Sequence, residues 1–221
     1  MRKTSKKNVT TEVIKKHIYD NIKEYAIASI LFIIGIILGV IFINNANDLQ
    51  ITQITNYLSN FSGSLKTDYE IDNSELLKNS VRDNVILAIV MWFVGSTVIG
   101  LPIIFGIVIF RGFCMGYAIS STIITFGLGK GIIFVVCSLL LQNLIFIPAL
   151  LALAVTGIKV YKSIVKDKRK ENIKLEIIRH TLFSIIILFL LLISALIETY
   201  ISTNLLKLAI NYICLLYTSD A

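Results

Sequence analysis

The sequence predicts an all-α fold, a polytopic integral membrane helix bundle with about five transmembrane helices, its N-terminus inside the cell and its C-terminus outside. Apolar residues make up 56% of the 221 residues and charged residues only 16%, whereas soluble domains are about 45–50% apolar and about 25% charged. The apolar residues gather into long runs, and a membrane-spanning helix needs about 20 of them. This composition excludes a soluble globular domain and a disordered chain. The three cysteines have no C-x-x-C spacing, which excludes a disulfide scaffold and a zinc ribbon.

The first predicted span covers residues 27–43, where 13 of 17 residues are Ile, Leu, Val or Phe. Each such residue near the centre contributes about −0.3 to −0.6 kcal/mol to insertion. The run exceeds the 7–15 apolar residues typical of a signal peptide and lacks a small-residue cleavage site, so we expect an uncleaved anchor. Residues 1–25 form a cytoplasmic basic amphipathic segment, either a helix lying on the membrane surface or a simple extension of the first span.

Residues 44–84 form the predicted outer loop, which contains an amphipathic helix. Apolar side chains recur in steps of three and four at Ile51, Ile54, Leu58 and Phe61. We expect this helix to start near Asp48 and to end at Gly63. Its apolar stripe must be buried on lipid headgroups, on the bundle or on a partner protein, and the pattern leaves these three open. A second helix is predicted to begin near residue 73 and to continue into the next span.

The other four spans are predicted at residues 85–110, 113–128, 132–158 and 181–196, the last extending to about 201. Because backbone polar groups must be satisfied internally in lipid, each span is a helix. Glycines at positions 127, 129 and 131 predict a tight turn between the third and fourth spans. The membrane domain then covers residues 26–213 and includes a charged cytoplasmic loop at 159–180.

The distribution of Lys and Arg sets the predicted orientation. Residues 1–25 hold seven basic and three acidic residues, residues 159–180 hold eight and three, and residues 44–84 hold three and six. The two basic segments are therefore assigned to the cytoplasm and the acid-rich segment to the outside. The residues taken to set this topology are Arg111, Lys166, Lys168, Arg169 and Lys170.

Arg111 fixes the predicted boundary between the second and third spans. An arginine near the middle of the bilayer costs about 2.5–3.5 kcal/mol or more unless it is paired. No Asp or Glu occurs between Asp83 and Asp167, so the sequence offers no nearby partner. We therefore predict a cytoplasmic turn at Arg111. The alternative is a re-entrant hairpin within residues 103–126.

Two kinds of residue stand out inside the predicted spans. Close helix packing is indicated by two G-x-x-x-G motifs, Gly35 with Gly39 and Gly112 with Gly116. Polar or kinked points occur at Pro102, Gln142, Asn143, Pro148 and Glu198. Buried amides usually form hydrogen bonds between helices, although a substrate site in a transporter remains open. Glu198 is interpreted as interfacial or bundle-facing.

A search for catalytic groups finds no H-E-x-x-H, no G-x-S-x-G, no Walker motif and no Rossmann glycine pattern. We therefore expect no enzyme activity, no catalytic residues, no cofactor and no metal site. The basic charge is split between two short segments without an aromatic stacking surface, so we expect no nucleic-acid binding. Membrane lipids are expected partners.

Six stretches of the chain together carry a resemblance to a known family. They are residues 31–39 (LFIIGIILG), 84–88 (NVILA), 95–102 (GSTVIGLP), 111–117 (RGFCMGY), 141–148 (LQNLIFIP) and 197–200 (IETY). In order and spacing, across about residues 15–210, they resemble the stage II sporulation protein M family of endospore-forming Firmicutes. The broader family often has His-Gly where this chain has Gln142-Asn143, and a Glu two residues before Pro148, where this chain has Phe146. The Gln-Asn form resembles the sporulation branch.

The resemblance implies a non-enzymatic membrane scaffold for engulfment. In that family the protein acts with stage II sporulation proteins D and P, which are peptidoglycan hydrolases, and helps to place them at the septum. The implied location is the cell membrane, at the sporulation septum and the engulfing mother-cell membrane. The alternative from the residues alone is a membrane transporter or permease subunit. Residues 214–221 (CLLYTSDA) resemble translated sequencing-adapter read-through, and we expect them to be a non-native tail without function.

Overall fold

The structure, a computed structural model, describes residues 15–16, 18–66, 72–97, 99–166 and 170–208. Helices account for the regular structure of this part of the chain. They are α1 (Ile22–Asn44), α2 (Asp48–Lys66), α3 (Asn73–Gly95), α4 (Gly100–Phe126), α5 (Leu128–Val135), α6 (Leu141–Lys166) and α7 (Lys170–Ile197). A π-helical segment, Val136–Leu140, joins α5 to α6, and a second one, Glu198–Ser202, follows α7.

Four helical stretches are long and apolar enough to cross a membrane: Ile22–Asn44, Gly100–Phe126, Leu141–Val165 and Ile173–Leu208. The predicted class, an all-α polytopic membrane helix bundle, is confirmed by these helices. The remaining predicted span corresponds to α3. The first half of α3 carries Lys78, Arg82 and Asp83. By composition, α3 is therefore not apolar enough to be included among the candidate membrane-spanning helices.

Helix α3 nevertheless runs antiparallel to α7 over most of its length. The Asn84 side-chain amide donates to the Leu191 carbonyl over 2.9 Å. About two turns further along α3, the Trp92 indole N–H donates to the Thr181 hydroxyl over 3.0 Å. Helix α3 begins at Asn73, where the Asp72 carboxylate accepts hydrogen bonds from the backbone N–H groups of Ser74 and Glu75. A count of five crossings therefore depends on α3.

The boundary predicted between the second and third spans is wrong. The chain turns at residues 96–99, and α4 then continues as one unbroken helix through Arg111 to Phe126. The turn is stabilised by hydroxyl groups, since Thr97 donates to the Val94 carbonyl over 2.8 Å. Pro102 consequently lies in the first turn of α4, where a missing backbone N–H costs nothing, and not in the middle of a span.

The bundle core lies where α3, α4, α6 and α7 meet. Its largest side chains are fully buried: Met91, Val108, Leu150, Leu153 and Leu191. Helix α1 packs against α4 on the outside of this core through the two G-x-x-x-G motifs. A Cβ atom on Gly39 would lie 2.7 Å from the Tyr117 backbone nitrogen, and one on Gly112 would lie 3.2 Å from the Gly35 Cα. The four glycines therefore allow the two backbones to touch.

Helix α2 lies against the end of the bundle where α4 meets α5. Ile54 and Leu58 line an apolar cavity of about 480 Å³ together with Tyr117 and Phe134. Part of the predicted apolar stripe is thus covered by the bundle. The prediction that this helix ends at Gly63 is wrong, since the helix continues to Lys66. Gly63 has open space around it and makes no turn.

At the opposite end of the bundle, Lys162 of α6 forms an ion pair with Glu24 of α1. This end also holds the connection between α6 and α7. The side chains of the predicted topology cluster, Lys166, Lys168, Arg169 and Lys170, lie outside the described residues, as do residues 1–14 and 209–221. The turn predicted around 127–131 occurs at Gly127 alone, which has a φ of 78°, and α5 begins at the next residue.

Candidate functional site

A polar cavity of about 360 Å³ lies between α3, α4, α6 and the π-helical segment after α7. Both π-helical segments reach it: Leu139 and Glu198 are part of its wall. A π-bulge inserts one extra residue into a helix and often occurs at a functional site. Polar groups inside a membrane bundle are costly and therefore also indicate function or specific pairing. The two observations coincide here, so we regard this cavity as the candidate site.

Glu198 is the centre of the hydrogen bonds in the cavity. Its Oε2 atom accepts from the Ser80 hydroxyl of α3 and from the Gln142 side-chain amide of α6 over 2.7 Å. The carboxylate therefore joins three separate segments of the chain. The backbone carbonyl oxygen of Gln142 accepts from the Ser194 hydroxyl of α7 over 3.2 Å.

Arg111 supplies the positive charge in the same cavity. It sits about halfway along α4, and its guanidinium carbon lies 5.1 Å from the centre of the Phe146 ring. The Glu198 carboxylate lines the same cavity. Because α4 runs unbroken through Arg111, the prediction of a cytoplasmic turn there is wrong. No acidic residue lies near Arg111 in the sequence, but the fold brings two carboxylates, Asp83 and Glu198, into the same cavity.

The structure brings together some of the predicted residues and not others. Gln142, Asn143, Glu198 and Arg111 share the cavity. Asn143 donates to the Leu139 carbonyl of its own helix over 2.8 Å, which satisfies an oxygen inside the π-helical segment. The glycine motifs belong to the separate α1–α4 interface. Pro148 lies within α6 and faces a different groove.

Two contributors escaped the sequence analysis, Ser80 and Asn84 of α3. Both fall in residues that were assigned to the outer loop. The signal that could have found them is their spacing, since Ser80 and Asn84 are four residues apart and share one face of a helix. Within the described residues, no group of three or more His, Cys, Asp or Glu side chains could hold a metal ion.

Chemically, the cavity offers two carboxylates, Asp83 and Glu198, together with one guanidinium, four side-chain amides and one hydroxyl. Such a set can lock helices together, and it can also bind a small polar or ionic solute. No curated protein and no solved structure matches the chain. The model of the family described as "Stage II sporulation protein M" matches residues 28–203, which include every helix that lines the cavity. The chain therefore belongs to the stage II sporulation protein M family, whose members are sporulation-related membrane proteins.

Proposed function

We propose that this protein is a non-enzymatic membrane scaffold of sporulation engulfment that holds stage II sporulation proteins D and P, two peptidoglycan hydrolases, at the septum. The family match supports a role in sporulation. The finer role as a scaffold rests on the surface of α2. That helix lies outside the bundle core and presents apolar side chains that the other described residues leave exposed.

The exposed face of α2 is the observation that carries the proposal. Leu49 and Tyr57 are each 72% exposed, and Phe61 is 41% exposed. Leu49 lies on the side of the helix opposite Ile54 and Leu58, which face the bundle, whereas Tyr57 and Phe61 lie on the flank next to those two residues, and Tyr57 also lines the edge of the apolar cavity. An aromatic and aliphatic face with neighbouring polar side chains is typical of a protein docking surface. Phe61 belongs both to this exposed face and to the predicted apolar stripe, whereas Leu49 and Tyr57 are not part of that stripe.

In this proposal the exposed face of α2 lies on the outer side of the membrane, near the cell wall, because of the charge distribution along the chain. The segment that contains α2 is acid-rich, and the basic segments belong to the other side of the membrane. By the positive-inside rule the acid-rich side is the outer one. A docking surface on that side would hold wall hydrolases where their substrate is.

The double variant Leu49→Glu with Tyr57→Glu is expected to lose the hydrolases. Two carboxylates on the docking face would have to be desolvated on binding, and each costs several kcal/mol when it is buried without a partner. The measurement is co-purification of the two hydrolases from a sporulating host that lacks its own copy, together with microscopy of engulfment. The wild-type chain should restore both.

The matched control for the docking face is Thr52→Glu with Ser59→Glu. These residues are also exposed on α2 but lie on another side of the helix. They add the same charge to the same helix and should leave co-purification and engulfment unchanged. Equal loss in both double variants would show that charge on α2, and not the face with Leu49 and Tyr57, is responsible. Failure of the wild-type chain in both measurements would reject the scaffold role.

A second candidate function, transport of a small polar solute, is favoured by the polar cavity alone. Polar residues inside a bundle often mark solute pathways. If this function is correct, proteoliposomes containing the protein should show flux of small ions or zwitterions. Gln142→Leu with Asn143→Leu should abolish that flux, while Asn204→Leu, an exposed amide elsewhere, should not. A lower detergent stability of the first variant without any flux in the wild type would assign the amides to packing.

A further inference from the structure

A long groove runs between α6 and α7 on the outside of the bundle, away from the polar cavity. Its volume is about 840 Å³, and its walls are almost entirely apolar. Ile145 and Leu190 lie at one end, and Lys159 and Arg179 lie at the other. In a membrane such a groove cannot stay empty, because lipid or protein must fill it.

The charged end of the groove lies at a membrane surface. It is the end of the bundle where Lys162 pairs with Glu24 and where Trp92 bonds to Thr181. Tyr25 also lines this end. Tryptophan and tyrosine concentrate at the level of the lipid headgroups. The groove therefore opens beside the headgroups and extends into the hydrocarbon.

The length of the groove matches one lipid chain. Arg179 and Leu190 are separated by 11 positions of α7, which corresponds to about 16 Å of helix. One leaflet of the hydrocarbon core is about 15 Å thick. An acyl chain that starts at the charged end would thus reach the apolar end near the middle of the membrane.

We propose that this groove is a binding site for an anionic phospholipid, with one acyl chain in the groove and the phosphate bound by Lys159 and Arg179. The charge at the mouth supports this choice. Among the charged residues that line the groove, two are basic, Lys159 and Arg179, and one is acidic, Glu176. Arg179 pairs with Glu176 over 2.9 Å, but its side chain is 70% exposed. A guanidinium has five N–H donors, so that pair leaves donors for a phosphate.

The test compares two lipids with identical acyl chains, phosphatidylglycerol and phosphatidylcholine, added to the full-length protein in detergent. Native mass spectrometry should show one phosphatidylglycerol bound more tightly than phosphatidylcholine, and thermal unfolding should shift upward with phosphatidylglycerol. Inorganic phosphate at the same concentration should produce no shift, because it lacks the chain that fills the groove. Equal binding of the two lipids, or an equal shift with phosphate, would overturn the proposal.

Variants separate the two halves of the site. Lys159→Gln with Arg179→Gln should weaken phosphatidylglycerol binding about 25-fold, since each basic side chain near an anionic headgroup contributes about fivefold. The control Lys23→Gln with Lys174→Gln removes two exposed lysines outside the groove and should change binding less than twofold.

Ala152→Phe should block the groove and reduce binding of both lipids, whereas Ala26→Phe on the exposed side of α1 should not. The proposal would be overturned if Lys159→Gln with Arg179→Gln and Ala152→Phe both bound phosphatidylglycerol as tightly as the wild type while their unfolding temperatures in lipid-free detergent were unchanged.

Discussion

Gly116→Leu is expected to lower the free energy of unfolding by more than about 3 kcal/mol and the melting temperature by about 10 °C. A Cβ atom on Gly116 would collide with the backbone of Ile36, including its carbonyl group. Side chains can change rotamer to relieve a clash, but a helix backbone cannot, so α1 and α4 would have to separate. The measurement is thermal unfolding of the purified protein in detergent.

The control for Gly116 lies on the same helix. A Cβ atom on Gly106 would have nothing within 4 Å, so Gly106→Leu fits without any movement. Removing a glycine from a helix interior favours folding by about 0.5–1 kcal/mol, and this variant should be neutral or slightly stabilised. Equal destabilisation of the two variants would show that the leucine side chain, and not the contact between α1 and α4, causes the loss. Gly35→Leu should behave like Gly116→Leu, since its Cβ would meet the backbone of Ile109.

Hydropathy was enough to predict the class and most of the helices, because burial in lipid is a property of local composition. The first span and the start of α3 at Asn73 agree with the structure. The turn between the second and third spans was placed at Arg111 instead of 96–99, since a local charge was treated as incompatible with the membrane. The Gly-Ser-Thr segment at residues 95–97, followed by Pro102, also indicates a turn. The cost of placing Arg111 in the membrane was given more weight than this local signal.

The polar cavity could be predicted only in part, because local sequence patterns identify polar residues but not the distant residues that they contact. Gln142 and Glu198 were singled out because they are polar inside apolar runs. Their hydrogen bond, however, joins residues that are 56 positions apart, and no local pattern encodes it. The π-helical segments depend on how α6 and α7 are packed, so their positions also follow from tertiary structure. The apolar spacing of α2 predicts Ile54 and Leu58 as one face, but which apolar side chains the bundle leaves exposed, such as Leu49, depends on tertiary packing.

Arg111→Leu is expected to destabilise the bundle by about 2 kcal/mol, because it removes a guanidinium that lies over the Phe146 ring. The variant would also leave the two carboxylates of the cavity, Glu198 and Asp83, without that neighbouring cation. The cavity is only partly closed to water, which limits the cost. Arg82→Leu is the control: its side chain is 65% exposed and its pair with Asp83 is at the surface, so the change should stay within about 0.5 kcal/mol.

The double variant Arg111→Leu with Glu198→Gln decides whether charge is the cause. Glutamine keeps an oxygen that can accept from Ser80 and Gln142, but it removes the negative charge that shares the cavity with Arg111. The double variant should therefore unfold at a higher temperature than Arg111→Leu alone, with a coupling of about 1 kcal/mol in a double-mutant cycle. If the two substitutions simply add, Arg111 stabilises the bundle through its contact with the Phe146 ring and not through Glu198. A coupling would instead show that attraction between the charges of Arg111 and Glu198 stabilises the cavity, so that an arginine is tolerated in the middle of a span because the fold brings a carboxylate into the same cavity.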